Sequence, residues 1–548
     1  MSGHAATLLL GATWGLPLAL LLGCLSGALR RAMPRLLVLA PLPALAAAAF
    51  ALQAPALEIG AGRLRLVFEL DGPGALLLGV AALLWSAAGG YAATYMRDTA
   101  KPGRFVACWL MACTGCLGVF VAGDLVSLYA MLAMLTLGAS GLVIHDETAQ
   151  AWRSGSIYLV LALLAESVLL VGLVMLAGEI PGDSLRLHDA AAALADSPDR
   201  DLIMALLVAG FGTKAGLVPM HVWMPLAHAA APVPASAVLS GAVVKVGIIG
   251  LIRFLPLSEA VPDWGLVLTA VGFVTAFYAV AIGLTQRHPK AVLAYSSVSQ
   301  MGVVAAVLGM GLAAGDATAG MAAAFYASHH VLVKGALFLS VGVIAASGAG
   351  RRAVVLLPAM LLCLGLGGLP LTGGAIAKYA VKDQLDVGVV GWLAAASAVG
   401  TTMLMLHFFS RLVTYGSDDP QATAPRGLTV PWLAMAAAAL VLPWLLHPMT
   451  GLGPTTVAAI APKALWASLW PVALGAGLAF ALRGWADRLP QIPQGDIAEA
   501  IDHASRAALA GGPLYDRFDG VIRAWPAATL ALLLTAIAFG AALIFPWT

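Results

Sequence analysis

The chain has 548 residues, of which 61% are hydrophobic and only 10% are charged, and its formal net charge at pH 7 is +2. Soluble globular proteins carry about 25% charged residues, so this composition excludes an ordinary water-soluble domain. It predicts an all-α polytopic membrane protein that contacts the lipid bilayer. The small net charge gives no electrostatic basis for binding nucleic acid, which we exclude as a partner.

Apolar runs of about 20 residues are typical of transmembrane helices, and the sequence predicts about 14 to 16 of them. The sixteen candidate segments, in chain order, are residues 6–29, 33–53, 74–94, 105–122, 124–144, 157–177, 202–221, 232–254, 264–285, 291–312, 319–347, 353–386, 387–415, 428–447, 464–484 and 526–547. The twelfth segment contains glycines and a proline that interrupt its helix.

Lysine and arginine are distributed unequally between the loops. Eighteen lie in loops after odd-numbered segments and six in loops after even-numbered ones. Because positively charged loops stay in the cytoplasm, this bias predicts that both termini lie outside. The high alanine and glycine content is typical of bacteria with GC-rich genomes and favours the inner (plasma) membrane.

Lys214 and Lys245 lie in two apolar segments that a proline-rich turn joins. An ammonium group in hydrocarbon is costly unless it faces protein, a partner or water, so each lysine is a candidate functional residue. His221 and His228 lie in the turn, at the predicted cytoplasmic end, and are secondary candidates for an entrance to an ion path. The prolines free backbone carbonyls, which are tolerated in a membrane only beside other protein or a water-filled cavity.

His330 and Lys334 are four residues apart and therefore share one helical face. Neutral imidazole both accepts and donates a proton near neutral pH, so the two residues suit a proton relay. The alternative is a hydrogen bond that only packs two helices together.

A second interruption, at residues 367–374, precedes Lys378. Interrupted apolar segments in corresponding places of two halves indicate inverted repeats with binding sites at the breaks. Lys378 would then be the counterpart of Lys214. Lys382 and Asp383 follow the second break and are secondary candidates for an exit near the membrane interface.

Four motifs occur in a fixed order: GTKAGLVPMHVWMPLAHAAAPVPASAVLSGAVVKVGIIGLIR at 212–253, HPKAVLAYSSVSQMG at 288–302, HVLVK at 330–334 and GLPLTGGAIAK at 368–378. With them the chain resembles the antiporter-like subunits shared by respiratory complex I, Mrp-type cation/proton antiporters and membrane-bound hydrogenases. The resemblance covers roughly residues 65–415.

This resemblance implies two inverted five-helix repeats, at 105–254 and 264–415, in which helices 7 and 12 are broken. Helices 1–3, at 1–104, would precede the repeats, and further helices at 428–548 would follow them. It also implies a chain of charged residues and water along the midplane, in which Lys214, Lys245, His330, Lys334 and Lys378 match the family's path residues.

One departure from the family lies in the fifth helix, where the usual glutamate partner of the seventh-helix lysine is missing. An alignment from Leu128 and Tyr129 puts Ala133 at that position. Glu166, in the sixth segment, is a carboxylate of the first half that does lie deep in an apolar run. We expect Glu166 to be the substitute partner of Lys214, because a lone carboxylate in a membrane usually has a role. The alternative is that it faces a partner subunit or an interface.

Residues 485–525 mix apolar and charged positions at helical spacing from about residue 497 to 509. This pattern suits an amphipathic segment on the cytoplasmic surface, against lipid or a neighbouring subunit. A solvated connector fits the same pattern equally well.

Together these features predict an ion-translocating subunit of a multi-subunit membrane complex, with protons as the ion and Na+ left open. The sequence has no dinucleotide fingerprint, phosphate loop or cluster-binding cysteine set, so we expect no cofactor and no metal, and redox or ATP chemistry would belong to a partner. Two alternatives remain open. One is a stand-alone secondary transporter. The other is a membrane scaffold that has lost pumping and anchors a soluble enzyme, for example one that handles bicarbonate.

Overall fold

The computed structural model describes residues 3–60, 65–97, 99, 101–180, 185–349, 352–453, 455–484 and 490–499. Most of the described residues lie in helices, as the composition predicts for a chain that must satisfy its backbone polar groups within a bilayer. The sixteenth predicted segment and most of the predicted amphipathic stretch lie outside the described residues.

In the first half of the chain, the described residues form twelve α-helices and a short hairpin. The helices are α1 (Gly3–Gly23), α2 (Gly27–Leu36), α3 (Leu42–Phe50), α4 (Gly72–Tyr95), α5 (Pro102–Val121), α6 (Leu125–Val143), α7 (Ala149–Glu179), α8 (Leu187–Asp196), α9 (Arg200–Ala215), α10 (Trp223–Ala230), α11 (Val233–Val238) and α12 (Lys245–Phe254). A π-helical turn, Leu239–Val243, joins α11 to α12.

The second half continues with nine further α-helices among the described residues. They are α13 (Pro262–Gly283), α14 (Pro289–Ala314), α15 (Thr318–Ala345), α16 (Arg352–Gly367), α17 (Gly373–Ala380), α18 (Lys382–Leu385), α19 (Gly388–Val413), α20 (Arg426–Leu446) and α21 (Pro462–Ala481).

Twelve helical stretches in the described part of the chain are long and apolar enough to cross a membrane. The prediction of a polytopic all-α membrane protein is therefore confirmed. Three of the sixteen predicted segments contain no single helix of spanning length: 33–53 contains part of α2 together with α3, 202–221 contains α9 alone, and 353–386 contains α16, α17 and α18. The inverted repeats stay a prediction.

The centre of the bundle is formed by α14 and α15, whose apolar windows are completely buried. Two peripheral helices contrast with them, because only 22% of the window in α1 and 17% in α21 is buried. Apolar side chains on these outer helices suit contact with lipid. The central helices, which have no lipid-facing surface, carry the polar residues described below.

Two short elements at the predicted outer face were not expected. Strand β1 (Leu57–Ile59) pairs antiparallel with β2 (Leu66–Phe68), with Leu57 opposite Phe68. Helix α8 lies between the predicted segments 157–177 and 202–221, where the sequence analysis predicted no helix. Neither element is long enough to give a membrane-span signal in the sequence.

Two helices end where glycine adopts a backbone conformation that other residues rarely adopt. Helix α9 ends at Gly216 (φ +80°), and Gly368 (φ +106°) follows α16. Each glycine lets the chain leave the helix abruptly, because it has no Cβ to clash at positive φ. The two interruptions leave backbone carbonyls at membrane depth without helical partners.

Helices α13 and α14 pack backbone against backbone along a seam of glycines. A Cβ added at Gly265, Gly272, Gly302 or Gly309 would collide with the backbone of the other helix. Small residues permit such close approach in membranes, where interhelical packing replaces the hydrophobic effect as the main source of association. The seam makes α13 and α14 one unit.

Candidate functional site

Lys214 lies in the last turn of α9 and forms an ion pair with Glu166 of α7. Its Nζ donates to Glu166 Oε1 over 2.5 Å and to the Thr136 hydroxyl over 2.7 Å. The Glu166 side chain is 1% exposed and that of Lys214 is 10% exposed. The expected contact between Glu166 and Lys214 is therefore present, and its role in transport stays a prediction.

Thr136, on α6, is the fifth-helix residue that reaches this pair, and its hydroxyl also donates to Glu166. The sequence alignment put Ala133 at the corresponding position, but Ala133 is half-buried elsewhere on the helix. Thr136 lies about one helical turn further along, so the helix presents a hydroxyl to Lys214 where the resemblance implies a carboxylate. A small cavity of about 10 Å³, lined by Thr136, Lys214 and Trp223, adjoins the pair.

Lys245 is fully buried at the start of α12, directly after the π-helical turn. Its Nζ donates to the Ser240 carbonyl over 3.0 Å and lies 2.5 Å from Nδ1 of His330, on α15. A π-helical turn disrupts the regular hydrogen-bond ladder and is common at functional sites. Here it supplies the carbonyl that receives the ammonium group.

Lys334, one turn along α15 from His330, does not contact that histidine directly. It donates to the Leu293 carbonyl over 2.8 Å and to the Ser296 hydroxyl, both on α14. The proton relay expected between His330 and Lys334 stays a prediction. The direct partner of His330 is Lys245, because α15 packs that face against α12 and turns Lys334 toward α14.

Lys378 lies on α17, just after the second helix interruption. Its Nζ donates to the Gly367 carbonyl, which the break leaves free. His329 packs beside the same break, close to Gly373 and Gly374. His329 is only 5% exposed, because α17 and α20 cover that face of α15.

A cavity of about 660 Å³ leads from Lys378 toward the predicted outer face. Its lining includes Tyr326, Lys382, Trp392 and Lys463. Lys382 is exposed and pairs with Asp386 over 3.3 Å. Asp383 is exposed as well, so both secondary candidates lie at the surface beyond Lys378.

Three polar side chains connect the centre of the bundle to this cavity. The Tyr326 hydroxyl donates to Gln300 Oε1 over 2.7 Å, and Gln300 Nε2 donates to the Thr401 hydroxyl over 3.0 Å. Tyr326 and Thr401 also line the cavity beside Lys378. Neutral residues of this kind give no charge signal in a sequence, which is why the link was missed.

His221 and His228 are both completely buried, near the predicted cytoplasmic face. Nε2 of His221 lies 3.0 Å from Asp496, a residue that the sequence analysis did not single out. His228 packs against Phe338, one turn of α15 from Lys334. Neither ring nitrogen of His228, nor Nδ1 of His221, has a hydrogen-bond partner among the described residues.

The described residues contain no group of three or more His, Cys, Asp or Glu side chains that could hold a metal ion. The chemistry that this arrangement offers is proton exchange, since it combines amines, imidazoles, hydroxyls and the buried carboxylates of Glu166 and Asp496. Lysine and histidine are the groups that pass protons between neighbours when water joins them.

Residues 122–405 match the family model for the transmembrane region of NADH:quinone oxidoreductase and Mrp antiporters. The chain is 31% identical over 361 residues to NADH-quinone oxidoreductase subunit N of Desulforudis audaxviator, which covers 61% of this chain and 70% of that protein. It is also 31% identical over 345 residues to an uncharacterized protein of Mycobacterium tuberculosis, which covers 58% of this chain. The chain spans about half the length of that relative, 52%.

Among solved structures, the chain resembles a subunit in the structure of the Mrp complex from Dietzia sp. DQ12-45-1b. The TM-score is 0.69 with 20% sequence identity, and the match covers 85% of this chain and 100% of that one. This likeness shows a shared fold.

Proposed function

The chain belongs to the NADH:quinone oxidoreductase/Mrp antiporter membrane family, and from this premise we propose that it translocates ions as an antiporter-like subunit of a larger membrane complex. The observation that carries the proposal is the buried pair of Lys214 and Glu166 beside a helix break. Burying two charges costs several kcal/mol per ion before their attraction repays it, so a pair at membrane depth favours a functional role.

In this proposal, ions cross along Lys214, Lys245, His330, Lys334 and Lys378, with water between them. The Glu166 carboxylate stabilises protonated Lys214. When the carboxylate moves away from the ammonium group, Lys214 releases its proton to the next residue. His221 and His228 form the cytoplasmic entrance, and Lys382 and Asp383 lie at the exit. Protons are the ion that suits these groups directly, and Na+ is the alternative that the experiment below distinguishes.

The proposal also includes the membrane arrangement expected from the sequence. The two inverted repeats occupy 105–254 and 264–415, both termini lie outside, and the location is the inner membrane. The excess of basic residues in alternate loops supports this orientation. Other membrane subunits would supply the driving reaction, as the names of the relatives suggest for those proteins.

The test is proton and Na+ flux in inverted vesicles that contain the intact complex. We expect Lys214→Ala and Glu166→Gln each to reduce flux at least about tenfold, which corresponds to about 1.4 kcal/mol of lost barrier stabilisation. Matched controls are Lys101→Ala and Glu259→Gln, which remove the same charges at exposed loop positions.

Unchanged flux in both path variants would overturn the proposal and favour a scaffold that has lost pumping. A detergent-purified chain that transports a solute alone would favour a stand-alone transporter. Loss of proton flux with Na+ flux unaffected would assign the path to protons.

A further inference from the structure

Asp496 is a buried carboxylate at the predicted cytoplasmic face, in a segment that follows the last described membrane helix. The side chain is 3% exposed. Its Oδ2 accepts from Tyr295 over 2.9 Å and from Tyr278 over 3.2 Å, and lies 3.0 Å from Nε2 of His221. The three partners come from α14, α13 and the interruption between α9 and α10, so one oxygen joins three separate elements of the core.

The segment at 490–499 is seated on the core by further contacts. Gln286 Nε2 donates to the Ile492 carbonyl over 2.9 Å, and the Tyr295 hydroxyl donates to the Gln494 carbonyl over 3.1 Å. At its far end, Glu499 pairs with Arg153 over 2.9 Å. The sequence left open that residues 485–525 form a solvated connector. These contacts show that residues 490–499 are instead docked on the core.

His221 faces two ways. One ring nitrogen points to Asp496, and the other is buried without a hydrogen-bond partner among the described residues. Buried polar atoms without a protein partner are usually solvated by internal water. Seven residues along the chain, His228 reaches toward α15, one turn from Lys334. The geometry thus puts His221 between the docked segment and the interior.

A carboxylate beside an imidazole orients the ring and stabilises its protonated form. Burial raises the pKa of Asp496, but the hydrogen bond and charge of His221, together with hydrogen bonds from the Ile497 backbone and the Tyr295 hydroxyl, outweigh burial and hold that pKa below its usual value. Asp496 therefore stays ionised near neutral pH and serves as a constant counter-charge. The other titratable side chains that contact the Asp496 carboxylate are Tyr278 from α13 and Tyr295 from α14, while Arg153 of α7 pairs with Glu499 instead.

We propose that Asp496 is a positioning residue of the ion path and that segment 490–499 carries its carboxylate to the core. In this role, Asp496 favours protonation of His221 at the cytoplasmic end of the path. The Nε2–H of His221 donates to the Asp496 carboxylate throughout. A proton that arrives from cytoplasmic water binds Nδ1 to give the imidazolium that this carboxylate stabilises, and the Nδ1 proton then leaves toward His228. No other bond changes. This inference rests on the proposed function.

The test is proton flux as a function of external pH in inverted vesicles, where the cytoplasmic face points outward. Without the carboxylate, His221 holds its proton less tightly, so more acidic solution is needed to load it. We expect Asp496→Asn to move the pH of half-maximal flux about one unit toward acid, a tenfold change in proton affinity, while flux at low pH approaches that of the wild type. Asp496→Glu should keep the wild-type midpoint.

Asp418→Asn is the matched control, since it makes the same substitution at an exposed position of a predicted cytoplasmic loop. We expect it to leave the midpoint unchanged. A merely structural role for Asp496 would lower flux equally at every pH without moving the midpoint, and that result would overturn the inference.

If Asp496→Asn does not assemble with its partners, Tyr278→Phe provides the decisive measurement. This variant removes one donor that competes for the carboxylate, so the midpoint should move slightly toward alkaline pH, and an unchanged or acid-shifted midpoint contradicts the inference. Lys214→Ala separates the two proposals. If Lys214→Ala retains flux, the proposed function fails. If Lys214→Ala abolishes flux but Asp496→Asn keeps the wild-type midpoint, only this inference fails.

Discussion

Lys214 and the three lysines that follow it along the proposed path are held in different ways. Lys214 contacts the Glu166 carboxylate and a hydroxyl. Lys245, Lys334 and Lys378 contact backbone carbonyls, a serine hydroxyl and an imidazole, and no carboxylate contacts them among the described residues. The first site therefore contains a permanent counter-charge, and the later ones do not.

The difference teaches what each site can do with a proton. A buried charge with no partner is costly, so a line of neutral acceptors suits brief occupancy and rapid onward transfer. A paired site holds its charge until the partner moves. The first site is thus suited to control, and the later sites to conduction.

The largest expected effect follows from breaking the pair on one side only. Glu166→Leu leaves the Lys214 ammonium buried and unpaired, and should lower the free energy of unfolding by about 3–5 kcal/mol. The double variant Glu166→Leu with Lys214→Met removes both charges and should recover most of that loss. Thermal unfolding of the purified protein in detergent measures both.

The matched change among the lysines without a carboxylate partner is Lys378→Met. It removes a cation that no carboxylate contacts and leaves one carbonyl unpaired, so its cost should be about 1–3 kcal/mol and smaller than that of Glu166→Leu. Equal destabilisation by the two single variants would contradict the distinction between the regions. Flux should fall in both.

A second prediction moves the carboxylate to a neighbouring helix. Because the Thr136 hydroxyl contacts both Lys214 and Glu166, a glutamate at 136 can reach the same ammonium. Glu166→Gln with Thr136→Glu should recover flux to within about tenfold of wild type, a residual barrier of about 1.4 kcal/mol. Vesicle flux of the double variant, compared with Glu166→Gln alone, measures the recovery.

Thr136→Glu with Glu166 intact is the control for that experiment. It places two carboxylates beside one ammonium and should reduce flux through like-charge repulsion. If the double variant is no better than Glu166→Gln, then the helix that carries the carboxylate matters and not only its distance from Lys214.

The smallest expected effect concerns the neutral link between the central residues and Lys378. Tyr326→Phe removes the hydroxyl that donates to Gln300 and leaves the ring in place. Losing one neutral hydrogen bond is worth about 0.5–1.5 kcal/mol, so flux should fall roughly 2- to 12-fold. Tyr379→Phe, at another tyrosine that lines the same cavity, is the matched control and should leave flux unchanged.

Much of the fold could be predicted because hydropathy reports membrane helices directly. The predicted segment at 291–312 lies within α14, and 105–122 nearly coincides with α5. Lys214 and Glu166 were found for a similar reason, since a charge in an apolar run is conspicuous wherever it points.

Side-chain contacts between different helices could not be predicted from hydropathy. Ala133 and Thr136 differ by one helical turn, and only the packing of α6 against α7, which carries Glu166, selects the threonine. Asp496 occurs in a polar stretch beside other acidic residues, and nothing in the local pattern distinguishes it from Asp502. The contacts that bury Asp496 come from residues about 200 to 275 positions away, whose proximity no local spacing encodes.

The glycine seam between α13 and α14 has a consequence for movement at the cytoplasmic face. Tyr278 is on one of these helices and Tyr295 on the other, and the backbones are too close to slide past each other. The two hydroxyls are therefore a fixed frame, and α13 and α14 can shift only as one rigid body. Any conformational change that separates Asp496 from the tyrosines must displace segment 490–499 itself, so slow amide exchange in the two helices should accompany fast exchange in the segment.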